Sequence, residues 1–180
     1  MSPEPASTSG STPVDWETAL FHSLQSAGVR QLPFVPDAGH AKLIRLAEAD
    51  PLMRPVVLTT EEEGVALACG AWLGGEKAVL LMQSSGVGNT INMLSLIGNC
   101  QFPLVTLVTM RGEFGEFNPW QVPMSRATET GFAMMGLAVH RCERPEQVSP
   151  TVEAALYAAF EGNQASAILL GQQLIGRKEW

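Results

Sequence analysis

Thr60-Glu61-Glu62-Glu63 is the densest group of titratable side chains in the chain, and it lies where an apolar run gives way to a helical pattern. Thr60 and Glu63 have capping-box spacing, which gives Glu63 a structural task. Acidic residues in a first turn also favour the helix dipole. Neither effect requires Glu61, at the junction itself. A carboxylate there is available for hydrogen bonding or proton placement at the end of a strand. Gln83-Ser84-Ser85-Gly86-Val87-Gly88-Asn89 is a second loop of interest. It lacks the lysine of a Walker loop and is not GxGxxG. Its glycines allow either a tight turn or close approach of a ligand to the backbone, and N–H groups at a following helix start can face an anion. Arg111-Gly112-Glu113 offers a guanidinium that can fork onto a carboxylate or sulfonate, or pair with Glu113 at the surface. His40 is a candidate acid or base, with a solvated loop histidine as the plainer reading. Phe114, Phe117 and Trp120 suit a lid or a contact with another chain. No GxSxG elbow and no hydrolase order of Ser, His and Asp occur. Nor do the carboxylates form a glycosidase pair.

These residues need elements to hold them. Trp16, Leu20, Phe21 and Leu24 share one helical face, and Gly28 is placed to end that helix. Further helices are expected at 41–49, 61–73, 89–97, 127–135 and 149–160. Apolar runs at 32–36, 55–58, 77–82, 103–109, 137–140 and 165–170 read as strands, with an irregular stretch at 110–124. Strands apolar on both faces and separated by helices imply a parallel sheet covered on both sides. The expected fold is therefore α/β: a doubly wound, six-stranded parallel sheet with helices on both faces. Ligands in such sheets sit at the carboxyl ends of strands. Here those ends are Pro36-Asp37, Thr59 to Glu61, Gln83 to Gly88 and Met110 to Glu113.

Composition narrows the function further. The 180 residues are 46% hydrophobic and 16% charged, enough to build a core. Eleven basic against eighteen acidic residues give a net charge of −7, which argues against nucleic acid and anionic lipid as partners. No apolar run reaches the roughly 20 residues that span a bilayer. Cys69, Cys100 and Cys142 have no metal or disulfide spacing and read as buried small hydrophobes, so a reducing cytoplasm is expected. No metal site is expected. The segment 1–14, rich in Ser, Pro and Thr, reads as a disordered tail, and residues 15–180 as one domain.

Three runs, TTEEEGVALACGAWLGG, KAVLLMQSSGVGNTINMLSLI and VTMRGE…QVPMS, together resemble the pyrimidine-binding (PYR) domain of thiamine-diphosphate enzymes. The likeness is strongest to α subunits of sulfopyruvate decarboxylase, with phosphonopyruvate decarboxylase next. It extends from about Asp15 to Gly171 and rests on E-x8-G, MQ-x-SGxGN, RG-[DE] and QxPM in order. The resemblance implies that Glu61, which carries the E-x8-G spacing to Gly70, hydrogen-bonds the cofactor's aminopyrimidine and stabilises its imino tautomer. It further implies cofactor contacts from Pro36, Asp37, Gln83 and Ser84, and substrate contacts from Asp37, His40, Arg111, Gln121 and Arg126. Ser84 replaces the family's usual Asn, Met110 its His, and Arg126 its Lys, while Val122 stands where phosphonopyruvate enzymes tend to carry His.

No GDG motif occurs in the 180 residues. The resemblance therefore implies a β subunit whose diphosphate-binding (PP) domain carries GDG and a later asparagine, holds Mg²⁺, and completes an α/β heteromer. The implied activity is decarboxylation of a 2-oxo acid such as sulfopyruvate or phosphonopyruvate. A non-catalytic scaffolding or regulatory subunit of the same fold, or a carboligase subunit, are the alternatives.

Overall fold

A computed structural model describes residues 15–177. The expected tail, 1–14, lies outside the described residues. Helix α1 (Trp16–Ser26) is capped by Asp15, whose carboxylate accepts from the Thr18 amide, and Gly28 follows with φ +76°. The chain then alternates: β1 (Val29–Phe34), α2 (Ala41–Ala49), β2 (Arg54–Val57), α3 (Glu61–Leu73), β3 (Lys77–Gln83), α4 (Val87–Thr90), α5 (Ser95–Cys100), β4 (Leu104–Thr109), α6 (Gln121–Met134), β5 (Ala138–Cys142), α7 (Pro145–Gly162), β6 (Ala165–Leu170) and the short α8 (Gln172–Ile175).

The strands form one six-stranded sheet in the order β2-β1-β3-β4-β6-β5, and every pair is parallel. Strands β4 and β6 are buried along their whole length, and β3 over its five central residues. Their side chains alternate between two cores. Val79, Leu81, Val105, Leu107 and Ile168 meet α1, α2 and α7, whereas Leu80, Met82, Leu104, Val108 and Leu169 meet α3, α6 and Phe102. This two-sided burial is why the central strands read as unbroken apolar runs. Each such side chain contributes roughly 1.5–3 kcal/mol on leaving water.

Some local expectations need correcting. The strand read as buried at 55–58 is the outer strand β2; it pairs only with β1, and Val57 is 66% exposed. The helix expected at 89–97 is broken into α4 and α5. Thr90 and Ser95 hydroxyls donate to the Val87 and Asn92 carbonyls, and such bonds compete with the helical ladder. Helix α6 starts at Gln121, six residues before the expected 127, because Pro123 sits in its first turn, where no ladder N–H is needed. Helix α7 starts at Pro145, where the Gln147 side chain accepts from the Glu143 and Arg144 amides. Cys69 and Cys142 are buried as expected, but Cys100, at the end of α5, is exposed.

Candidate active site at the carboxyl edge of the sheet

From β1 the chain moves outward to β2, then returns across β1 to β3, so strand order reverses between β1 and β3. A crevice at the carboxyl ends is expected at such a switch point. Asp37 follows β1 and Gln83 ends β3, and the two meet there. Gln83 Nε2 donates to Asp37 Oδ1 at 2.8 Å, and Thr109 Oγ1, at the end of β4, donates to Oδ2. One carboxylate thus ties three strand ends together. Gly39 allows this approach, since a Cβ there would lie 2.7 Å from Thr109 Cγ2. Gln83 Oε1 in turn accepts from the Ser85 hydroxyl.

Glu61 is the first residue of α3 and is 8% exposed. Its Oε2 accepts from Asn89 Nδ2 at 2.8 Å. A Cβ at Gly86 would fall 2.1 Å from Glu61 Oε1, so the carboxylate occupies space that only glycine leaves open. Gly86 has φ −80°, so its glycine is required by space and not by backbone freedom. The loop between β3 and α4 is therefore a seat for Glu61. Oε1 accepts no hydrogen bond among the described residues. The capping box expected over Thr60–Glu63 does not form as such: Glu63 accepts from the Thr59 amide at 2.8 Å, while the Thr60 hydroxyl donates to Glu62.

The remaining predicted residues divide in two. Pro36 is exposed beside Asp37. Ser84 is fully buried, and its Oγ accepts from the Arg111 amide at 3.1 Å, joining the ends of β3 and β4. His40 is not a solvated loop residue: it is 2% exposed, with Nε2 3.3 Å from Met82 O and 3.2 Å from Leu107 O. Burial pushes its pKa below the usual histidine range. Arg111 does not pair with Glu113. Its Nε and Nη2 fork onto Glu116 at 2.7 Å each, both side chains being nearly buried. Arg111, then the Asn118 and Gly112 amides and Gln172 Nε2, hold the Glu116 carboxyl at a pKa of about 2. Glu113 pairs instead with Arg141. Gln121 opens α6 half-buried, and its Oε1 is enclosed without a hydrogen-bond partner among the described residues. Arg126 is exposed on α6 and makes no ion pair among the described residues.

Sequence reasoning missed Thr109, Glu116, Gln172 and Arg177. Nothing local marks them, since each acts through a neighbour far along the chain or across a loop. A cavity of about 390 Å³ lies at this edge, lined by Asp37, Gly39, Arg111, Ile175 and Arg177 among others. Among the described residues no group of three or more His, Cys, Asp or Glu side chains is arranged to hold a metal ion, and no helix is long and apolar enough to cross a membrane.

Comparison with known proteins places this geometry. No protein-family model matches the chain. It is 32% identical over 158 residues to sulfopyruvate decarboxylase subunit alpha of Methanothermobacter thermautotrophicus, covering 87% of this chain and 96% of that one. It is 34% identical over 149 residues to phosphonopyruvate decarboxylase of Streptomyces viridochromogenes, covering 82% of this chain but 36% of that longer protein. Among solved structures, 2-oxoglutarate:ferredoxin oxidoreductase from Magnetococcus marinus superposes with a TM-score of 0.72 at 15% identity, over 89% of this chain and 29% of that one; this likeness is one of fold. With a doubly wound parallel sheet, Glu61 seated at its carboxyl edge, and a relative matched along nearly its whole length, the chain belongs to the family of sulfopyruvate decarboxylase α subunits.

Proposed function

We propose that this chain is the α subunit of a cytoplasmic thiamine-diphosphate-dependent decarboxylase acting on a 2-oxo acid of the sulfopyruvate or phosphonopyruvate type. The observation that carries the reading is Glu61: a carboxylate seated against Gly86, with Oε2 fixed by Asn89 and Oε1 left unengaged among the described residues. That donor set fits an aminopyrimidine, whose ring nitrogen needs one hydrogen-bonding carboxyl in a site shielded from water. Bound thiamine diphosphate supplies the electron sink through which a 2-oxo acid releases carbon dioxide.

The chain's own residues have narrower tasks. Glu61 holds the proton shared with the pyrimidine ring, and Asn89 restrains its carboxyl from rotating. Asp37 and Gln83, bonded to each other across the crevice, orient the cofactor edge, with Pro36 beside them. Gln121, with its enclosed and unpartnered Oε1, is our choice for contact with the substrate, and Arg126 is a further candidate. Ser84, His40 and Arg111 serve as positioning residues, since their polar atoms are engaged with backbone or with Glu116. The diphosphate and Mg²⁺ fall to a β subunit bearing the GDG motif absent from these residues.

The test is Glu61→Gln in the assembled complex. Carbon dioxide release from sulfopyruvate should fall by roughly 10²–10⁴-fold, the range for a positioned proton-transfer group, while co-purification with the partner persists. An unchanged rate would remove Glu61 from the mechanism.

A further inference from the structure

The cavity at the carboxyl edge carries two guanidinium groups in unlike states. Arg111 is neutralised by its fork onto Glu116. Arg177 follows Gly176, whose φ of +85° turns the chain after α8 back toward the strand ends. The Arg177 stem lies over Gly115, at φ +59°, where a Cβ would come within 2.6 Å of Arg177 Cδ and 2.9 Å of Cγ. Glycine at 115 therefore leaves a slot that fits this arginine. Its guanidinium makes no ion pair or hydrogen bond among the described residues. Both oxygens of Asp37, the anionic group on the cavity wall, accept from the neutral donors Gln83 and Thr109, which turns them away from Arg177 as ion-pair partners without cancelling the charge. The wall thus presents one guanidinium without an ion-pair or hydrogen-bond partner among the described residues, on an exposed side chain whose stem is seated over Gly115, in a cavity that shares Asp37 with the crevice proposed for the cofactor.

We infer that Arg177 is a specificity-determining residue whose guanidinium receives the tetrahedral anionic group, sulfonate or phosphonate, on carbon 3 of the 2-oxo acid. The inference rests on the decarboxylase reading and deepens it. A planar fork of N–H donors matches two oxygens of such a group. The hydrogen that stands in place of that group on carbon 3 of pyruvate offers it nothing, so the arginine favours the doubly charged acid over pyruvate.

The test compares wild-type complex with Arg177→Ala and Arg177→Lys, using sulfopyruvate, phosphonopyruvate and pyruvate. Arg177→Ala should raise KM for one or both charged acids by about tenfold or more, as loss of a charge-assisted hydrogen bond does. KM for pyruvate should not change, kcat should change little, and lysine should recover part of the loss. Whichever charged acid shows the larger change names the anion. A second reading does not need turnover: methanesulfonate should raise the thermal midpoint of the wild-type complex and not that of Arg177→Ala. Unaltered KM values, or equal shifts for charged and uncharged acids, overturn the role of Arg177. A wild-type complex that releases carbon dioxide from none of the three acids overturns the decarboxylase reading instead, and methanesulfonate protection then decides on the anion site by itself.

Discussion

The position of a buried carboxylate depends on the space left open beside it as much as on its hydrogen-bond partners. Glu61 lies where any side chain at position 86 would sit, with 2.1 Å between its Oε1 and a Cβ built there. Since Gly86 has an ordinary φ of −80°, alanine fits the backbone without strain, and the nearest atoms its Cβ meets all belong to the Glu61 side chain. Gly86→Ala should therefore leave the far-UV circular dichroism of the protein unchanged. It should lower kcat of the complex by roughly 10²-fold, the scale set by a misplacement of about 1 Å. A full rate in Gly86→Ala would show that the carboxylate can relocate without consequence. Asn89 belongs to the same scale: it was legible as part of a motif, but its task of holding Glu61 Oε2 was not.

The segment from β4 to α6 shows how an irregular element is held. Its Gly and aromatic residues give no periodicity, and it is ordered by one buried ion pair, Arg111 with Glu116, reinforced by Gln172 from α8. Removing one member leaves the other charge buried, at a cost of roughly 3–5 kcal/mol. Arg111→Ala should lower the thermal midpoint, and Arg111→Met with Glu116→Leu should recover most of the loss, as measured by calorimetry. The acid behaviour follows from the same contact. Glu116 titrates near 4.5 when unfolded and near 2 when folded. Its contribution is thus complete above pH 4.5 and is lost as pH falls through about 2. Between these values the wild-type midpoint should drop more steeply than that of Glu116→Gln.

Across the whole molecule, the order β2-β1-β3-β4-β6-β5 gathers the ends of β1, β3 and β4 at Asp37 while leaving the rest of the sheet to the two cores. Asp37, Gln83 and Arg111 come from three separate βα junctions and meet only because those strands are neighbours, while Glu61, after β2, is seated by the loop between β3 and α4. On the proposed reading, a partner subunit holds the diphosphate and Mg²⁺ and this chain the pyrimidine. The purified chain alone should on that reading show no release of carbon dioxide from sulfopyruvate. Activity should appear on addition of a GDG-bearing partner, at the ratio where size-exclusion chromatography shows a common species. Turnover by the chain alone would contradict the division of the cofactor between two polypeptides.

Fold class and the parallel character of the sheet were legible in the amino-acid order alone. Those are set by short-range pattern: runs such as Leu104–Thr109 are apolar on both faces, and the helix from Glu61 to Leu73 starts at a strand end and stops at paired glycines. The resemblance to the family, and not local pattern, is what points to Glu61 among three adjacent glutamates. The partners of individual side chains emerge only from the packed molecule. His40 is a buried ligand of two main-chain carbonyls, Arg111 belongs to Glu116 and not Glu113, β2 is an outer strand, and Arg177 reaches the cavity from the far end of the chain. A hydrogen bond or ion pair is fixed by position in space, and strand order, on which that position depends, is set by how whole helices pack on the sheet and leaves no trace in local spacing.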